Sequence, residues 1–273
     1  MSEEIRSRVD RLELPWNGYG IDPYGISKSD LVWFFEVAGF LYRDYFRVRS
    51  IGTEHVPARG RAMLVGNHSG GIALDALMIV AAMFLEMDPP RLAQGMAEKF
   101  LSKIPFASPL LSRLGHLTGL PEHGLRLLRD ERLLLVFPEG ARGTAKLFWN
   151  RNSLVEFGTG FMRLALQTAT PIVPFGFVGG GAAIPTIANS YKLGHLLGTP
   201  YVPLTPWLLP LPLPATLGVR FGPPLRFEGD GNEDDTVIED KVRQVKERIL
   251  GLLGDERGTG EARSTEREGL RVA

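Results

Sequence analysis

The chain has 273 residues, 44% of them apolar, enough to bury one sizeable core. Basic and acidic side chains stand at 31 each, so no global field draws the chain onto nucleic acid. With no cysteine, disulfides, thiolate metal sites and a cysteine nucleophile are excluded, and a reducing intracellular compartment is compatible.

Taken in chain order, residues 1–11 are charged and carry no apolar run, so they do not read as a secretory signal, and the expected location is cytoplasmic. Residues 1–50 read as an N-terminal helical segment. Its apolar stretch, 31–42, is too short to span a bilayer and contains Glu36. That stretch and its continuation hold Trp33, Phe34, Phe35, Phe40, Tyr42, Tyr45 and Phe46, with Arg43, Arg47 and Arg49 close behind. Aromatics followed by arginines suit a membrane interface; the alternative is an amphipathic helix buried on its own domain.

From 51 to 253 apolar runs alternate with segments of helical period, which is the pattern of an α/β domain. Strands are predicted over 62–66, 91–96, 116–120, 133–137, 172–177 and 217–221. Helices are predicted over 76–86, 102–114, 123–130, 157–168 and 236–253. The last places Ile238, Val242, Val245, Ile249 and Leu252 on one stripe and should cover the sheet. The stretch YVPLTPWLLPLPLP, 201–214, carries too many prolines for a helix or central strand and predicts an irregular apolar loop, with Trp207, Leu208, Leu209 and Leu211 available to lipid or to packing on the sheet. Residues 254–273 lose periodicity and read as a disordered tail.

Two segments carry residues suited to chemistry. In MLVGNHSGGIALDA, 63–76, an apolar strand runs into Asn67, His68, Ser69, Gly70 and Gly71 before a helix begins. A carboxylate at Asp75, reached across a glycine-permitted turn, can accept from one nitrogen of His68 and leave the other as a base for a hydroxyl; a hydrogen-bonded structural histidine is the plainer alternative. In LLLVFPEGARGT, 133–144, a buried strand turns through Glu139, Gly140 and Arg142. An arginine there can hold a phosphate or carboxylate, and Glu139 can fix either that arginine or an acceptor hydroxyl, unless the two are an ordinary surface ion pair.

Together these segments resemble the glycerolipid acyltransferase superfamily, the lysophospholipid or 1-acylglycerol-3-phosphate acyltransferase-like proteins, over 51–227. IGTEHVPARGRAMLVGNH looks like the approach to that family's first motif, and FPEGARG is similar to its acceptor-binding motif. TPIVPFGFVG looks like its last motif, while FGTGFMRLAL and RFGPPLRF resemble a diacylglycerol acyltransferase-like branch. The resemblance implies a mixed sheet flanked by helices with an N-terminal amphipathic helix. It implies His68 and Asp75 as catalytic residues, Asn67, Ser69, Gly70, Glu139, Gly140 and Arg142 as substrate contacts, and Pro174 on the acyl-donor side. The reaction implied is direct transfer from acyl-coenzyme A or acyl carrier protein to a hydroxyl of a glycerolipid or lysophospholipid, with no cofactor or metal, at the cytoplasmic face of a membrane.

Two departures bear on the site. The family's first motif usually has four residues between histidine and aspartate, whereas six separate His68 from Asp75, which a bulge around Ser69, Gly70 and Gly71 would absorb. Where the family usually places an arginine for the acceptor phosphate, this chain reads LTGLPEHGLRLL, which points to an acceptor of lower negative charge. Two rival readings stand beside this one. NHSGG comes within one residue of the G-x-S-x-G elbow of α/β-hydrolases, with Ser69 as nucleophile. A non-catalytic lipid-binding protein on the same fold is the other.

Overall fold

The computed structural model describes residues 2–70, 74–97, 111–151, 153–208 and 211–269. Nine strands run β1 (Arg49–Ile51), β2 (Ala62–Gly66), β3 (Ala93–Ala97), β4 (Leu117–Thr118), β5 (Leu133–Val136), β6 (Ile172–Val178), β7 (Ala188–Ser190), β8 (Val202–Leu204) and β9 (Gly218–Phe221) among the described residues. Seven form one sheet in the order β1-β9-β6-β2-β5-β3-β4. Only the β6–β9 pair is antiparallel, so the sheet is mixed, as the resemblance implied. β2 occupies the centre because AMLVG is apolar throughout and can be buried on both faces, and every one of its residues is buried.

The helices are α1 (Glu3–Asp10), α2 (Lys28–Phe40), α3 (Leu74–Glu86), α4 (Pro121–Arg129), α5 (Ala141–Thr144), α6 (Gly160–Gln167), α7 (Gly180–Ala183), α8 (Tyr191–Leu197) and α9 (Asp235–Gly269). α9 lies on β6 and α6, and α4 on β5 and α6; α3 lies on β3 and carries α2, which in turn carries α1. No helix among the described residues is long and apolar enough to cross a membrane.

Several expectations are corrected. The N-terminal helix is present, but it is apolar on two sides rather than amphipathic. Leu31, Phe35 and Ala38 are buried, continued by Tyr42 in the π-helical turn Leu41–Tyr45, while Trp33, Val37 and Phe40 are exposed. Phe35 stacks on Phe84 of α3 with ring centroids 3.6 Å apart, so the inner face is packed on the domain and the outer face is left open. The boundary drawn at residue 50 falls inside β1, a short edge strand that its flanking arginines hid from a search for apolar runs. Within the proline-rich stretch, Val202–Leu204 is a strand. Pro203 is tolerated there because β8 pairs only with β7, so one of its edges needs no ladder donor. Leu209 lies outside the described residues, as does most of the helix expected over 102–114, of which 111–113 are helical. α9 continues as helix to Gly269, through most of the segment read as a tail.

Candidate active site

The site forms where β2 ends. Gly66 is required there because the ring of Phe175 lies over it; a Cβ would come within 2.2 Å of Phe175 Cε2. Asn67, expected to contact substrate, clips the strands instead. Its amide donates to Phe177 O at 2.9 Å and its carbonyl accepts from Phe177 N at 2.8 Å, prolonging the β2–β6 pairing by one side chain.

His68 follows, 7% exposed, its ring stacked on Phe137 at 3.9 Å and 7°. Nδ1 lies 3.1 and 3.0 Å from the two carboxylate oxygens of Asp75, which is fully buried in the first turn of α3. Asp75 also accepts from Ser69 N at 2.8 Å, Ala76 N at 2.8 Å and Ser69 Oγ at 3.3 Å. Every partner of this carboxylate is a donor, so Nδ1 carries the hydrogen, and in the neutral ring the lone pair then lies on Nε2. Nε2 has no partner among the described residues, which leaves it available to an incoming hydroxyl. The six-residue spacing is therefore compatible with a direct histidine–aspartate contact. Gly70 makes the turn with φ +90, a conformation that favours glycine, and a Cβ on it would come within 3.0 Å of Lys146 O. Gly71 lies outside the described residues.

Among the described residues Ser69 is not paired with a histidine. Its Oγ donates to Asp75 and lies against Gly180, where a Cβ would come within 2.0 Å of it, and no histidine nitrogen among the described residues reaches it. The downstream histidines are engaged elsewhere or exposed. His116 Nδ1 accepts from Gly95 N, His123 Nδ1 meets Thr118 O, and His195 sits exposed on α8. The nucleophile-elbow geometry is absent among the described residues. Gly179 leads into the helical turn α7, which presses Gly180 onto Ser69.

The second segment folds differently from expectation. Glu139 is not directed at Arg142 or at an acceptor but inward, 1% exposed. Its Oε1 accepts from His68 N at 3.1 Å; its Oε2 accepts from Val155 N at 3.0 Å and lies 2.5 Å from Lys146 Nζ. Gly140, with φ 55 and ψ −151, is the backbone reversal that sends the two side chains apart. Arg142 is consequently on the surface, 3.2 Å from Glu156 Oε2. Gly143 lets the turn approach the histidine, since a Cβ there would lie 2.8 Å from His68 Cβ and 2.7 Å from Glu139 Cβ. Pro174 is buried inside β6 beside Gly222, in register with Val65, one residue before the end of β2.

Lys146 went unread in the sequence. Its ammonium, with a side chain 2% exposed, bridges Glu139 and His68 O, to which it donates at 2.8 Å. Burial pushes its pKa down from the ordinary lysine value, against the opposing pull of the Glu139 carboxylate. The sole sequence signal was its place seven residues after Glu139, in a loop where a lysine ordinarily reads as solvated.

Residues 47–178 match the family model described as Acyltransferase. Uncharacterized proteins of Mycobacterium bovis and Mycobacterium tuberculosis are 33% identical over 225 residues, 78% of this chain and 63% of theirs, so the chain spans less than two thirds of these relatives. The human protein named DGAT1/2-independent enzyme synthesizing storage lipids is 30% identical over 123 residues, 45% of this chain and 37% of that one. The crystal structure of the 1-acyl-sn-glycerophosphate (LPA) acyltransferase PlsC from Thermotoga maritima superposes with a TM-score of 0.54 at 16% identity, covering 84% of this chain and 82% of that one.

Proposed function

We propose that this chain is a member of the glycerolipid acyltransferase superfamily and that it moves a fatty acyl group from an acyl thioester to a hydroxyl of a lipid acceptor, with His68 as general base. The observation that carries this reading is the buried His68–Asp75 contact, which holds Nδ1 and leaves Nε2 unengaged among the described residues.

In the proposed step Nε2 takes the acceptor's hydroxyl proton while its oxygen bonds to the thioester carbonyl carbon. The carbonyl electrons move onto oxygen, and the resulting oxyanion collapses by breaking the C–S bond. The departing thiolate takes the proton back from Nε2, so the enzyme returns to its starting state with no covalent intermediate. The Gly70 N–H, which donates to no acceptor among the described residues, is a candidate donor to the oxyanion. The Gly140 N–H is already given to Phe137 O.

An acceptor of low negative charge is favoured, because Arg142 is paired on the surface with Glu156 and the LTGLPEHGLRLL segment supplies no arginine before α4. The donor is acyl-coenzyme A or acyl carrier protein. The exposed Trp33, Val37 and Phe40 stripe of α2 supports peripheral attachment to a membrane, which this reading sets at the cytoplasmic face.

The test is transfer from labelled acyl-coenzyme A to a panel of neutral glycerolipids, lysophospholipids and lysophosphatidate by wild type, His68→Ala and Ser69→Ala. Loss of a general base lowers turnover by about 10²–10⁴-fold, so His68→Ala should nearly abolish product while Ser69→Ala retains most of it. Release of free fatty acid alone, abolished by Ser69→Ala, would replace this reading with a hydrolase.

A further inference from the structure

Between β6 and β9 the chain leaves the sheet for residues 179–217, in which α7, β7, α8 and β8 form a small lobe. The lobe is fastened to the segment that carries the buried lysine. Asn189 Nδ2 donates to Ala145 O at 2.7 Å, Phe148 N donates to Thr186 O at 2.8 Å, and the Tyr201 hydroxyl bonds Thr144. Lys146, within that same stretch, bonds His68 O, so the lobe and the catalytic ring are linked through one short loop.

Its outer surface is apolar. α8 turns Gly194 inward, where a Cβ would come within 2.5 Å of Tyr201 Cα, and so lies flat with Leu193, Leu196 and Leu197 outside. Leu196 is 79% exposed, and Leu208 on the following loop is 73% exposed with φ 68, in the left-handed region that favours glycine. Leu211 is exposed beyond it, and the Tyr45 hydroxyl donates to Pro212 O at 2.8 Å, joining the loop to the π-helical end of α2.

The charge pattern identifies the occupant. Lys192 is the only charged side chain in 179–217 and there is no carboxylate. At the chain's own rate of 31 acidic residues in 273, a stretch this long would hold about four. A surface that meets solvent or a polar protein rim has no reason to shed carboxylates, whereas one that meets anionic headgroups is repelled by each. Seven prolines, 185, 200, 203, 206, 210, 212 and 214, restrict the unbound lobe and reduce the ordering cost of docking.

We propose that this lobe is a bilayer-docking surface that sets the leucines of α8 and of the following loop into an anionic lipid layer and thereby holds the His68 site against the membrane from which its acceptor is drawn. The inference rests on the reading of the chain as a lipid acyltransferase, but its test separates the two. Vesicles of phosphatidylglycerol and phosphatidylcholine are floated with the full chain, with Leu196→Glu/Leu197→Glu, with Leu208→Glu, and with Trp33→Glu/Phe40→Glu. Transfer from acyl-coenzyme A is followed to a vesicle-borne acceptor and to a short-chain soluble one. Both lobe variants should lose flotation and vesicle-borne turnover by about tenfold or more, and keep turnover on the soluble acceptor. Agreement between the two variants, which lie on different elements, separates docking from a folding defect in either. Flotation unchanged in both, or lost only with the α2 variant, overturns the proposal and leaves the acyl-transfer reading standing. A wild-type dimer that Leu196→Glu/Leu197→Glu dissociates without affecting flotation also overturns it, in favour of a second copy. Leucine-dependent flotation in a protein that acylates no acceptor supports the surface and removes the reaction.

Discussion

Beneath His68 lies a pair of opposite charges, Glu139 and Lys146, with side chains 0% and 2% exposed. Removing one partner of such a pair leaves the other charged in a low-dielectric interior, at a cost of about 3–5 kcal/mol. Lys146→Met should therefore lower the unfolding free energy measured by urea melts by that amount and reduce turnover, because the bond to His68 O goes as well. Adding Glu139→Gln should recover most of the stability and little of the turnover, since neutralising the carboxylate does not replace the anchor. Recovery of both would reduce the lysine to a counter-ion. The sequence exposed the outer part of this arrangement only. His68 and Asp75 were legible because a strand, a glycine turn and a helix start are local patterns. Glu139 was misread because its neighbour Arg142 offered an obvious partner, and the reversal at Gly140 that separates them depends on a backbone conformation. Lys146 was invisible because its burial exists only once three segments distant in sequence have met.

At the level of elements, the central strands were legible and the edges were not. The expected 62–66 coincides with β2, and 172–177 with all but the last residue of β6, because buried strands read as continuous apolar runs. β1, β7 and β8 are three residues each, flanked or filled by arginine, asparagine and proline. Pro174 stands within a central strand against the usual rule; its carbonyl accepts from Gly222 N, and β9 pairs with β6 only from Phe175 onward. The β3–β4 junction carries a pH-dependent element. Burial pushes His116 down to about 4 from 6.5. The Gly95 N–H that donates to Nδ1 also needs the lone pair that protonation would remove. Below 6.5 the unfolded chain binds a proton that the folded one refuses until about pH 4, so stability falls with pH across that window. His116 is half-buried as a residue, so solvent screens part of the effect, leaving about 1–2 kcal/mol lost between pH 7.5 and 5. Urea melts at the two pH values should show this loss in wild type and lack it in His116→Asn; an equal slope in both would assign the pH dependence to other groups.

For the molecule as a whole, the two ends of the chain differ in what they contribute to the core. The N-terminal segment looked separable in sequence, yet it is bound to the domain at several levels. Leu31, Phe35, Tyr42 and Phe46 are at most 2% exposed, Arg8 donates to the carbonyls of Phe84 and Met87, and Leu217 N donates to Phe46 O across to the last strand. Each such side chain contributes about 1.5–3 kcal/mol on burial, so four of them match the whole net stability of an ordinary domain, about 5–15 kcal/mol. At the other end, the buried positions of α9 among residues 235–254 are Ile238, Val242, Val245 and Ile249, and the stripe read from the sequence stops near Leu253 although the helix continues to Gly269. A chain lacking residues 1–50 should then fail to fold cooperatively even though the segments that carry His68, Asp75 and Glu139 are intact, while one lacking 255–273 should keep its melting temperature and turnover and lose only helical circular dichroism. If the shorter N-terminal form melted cooperatively near wild type, α2 would be an appendage on the domain, and its exposed aromatics would have to be explained by membrane contact without any help from its buried ones.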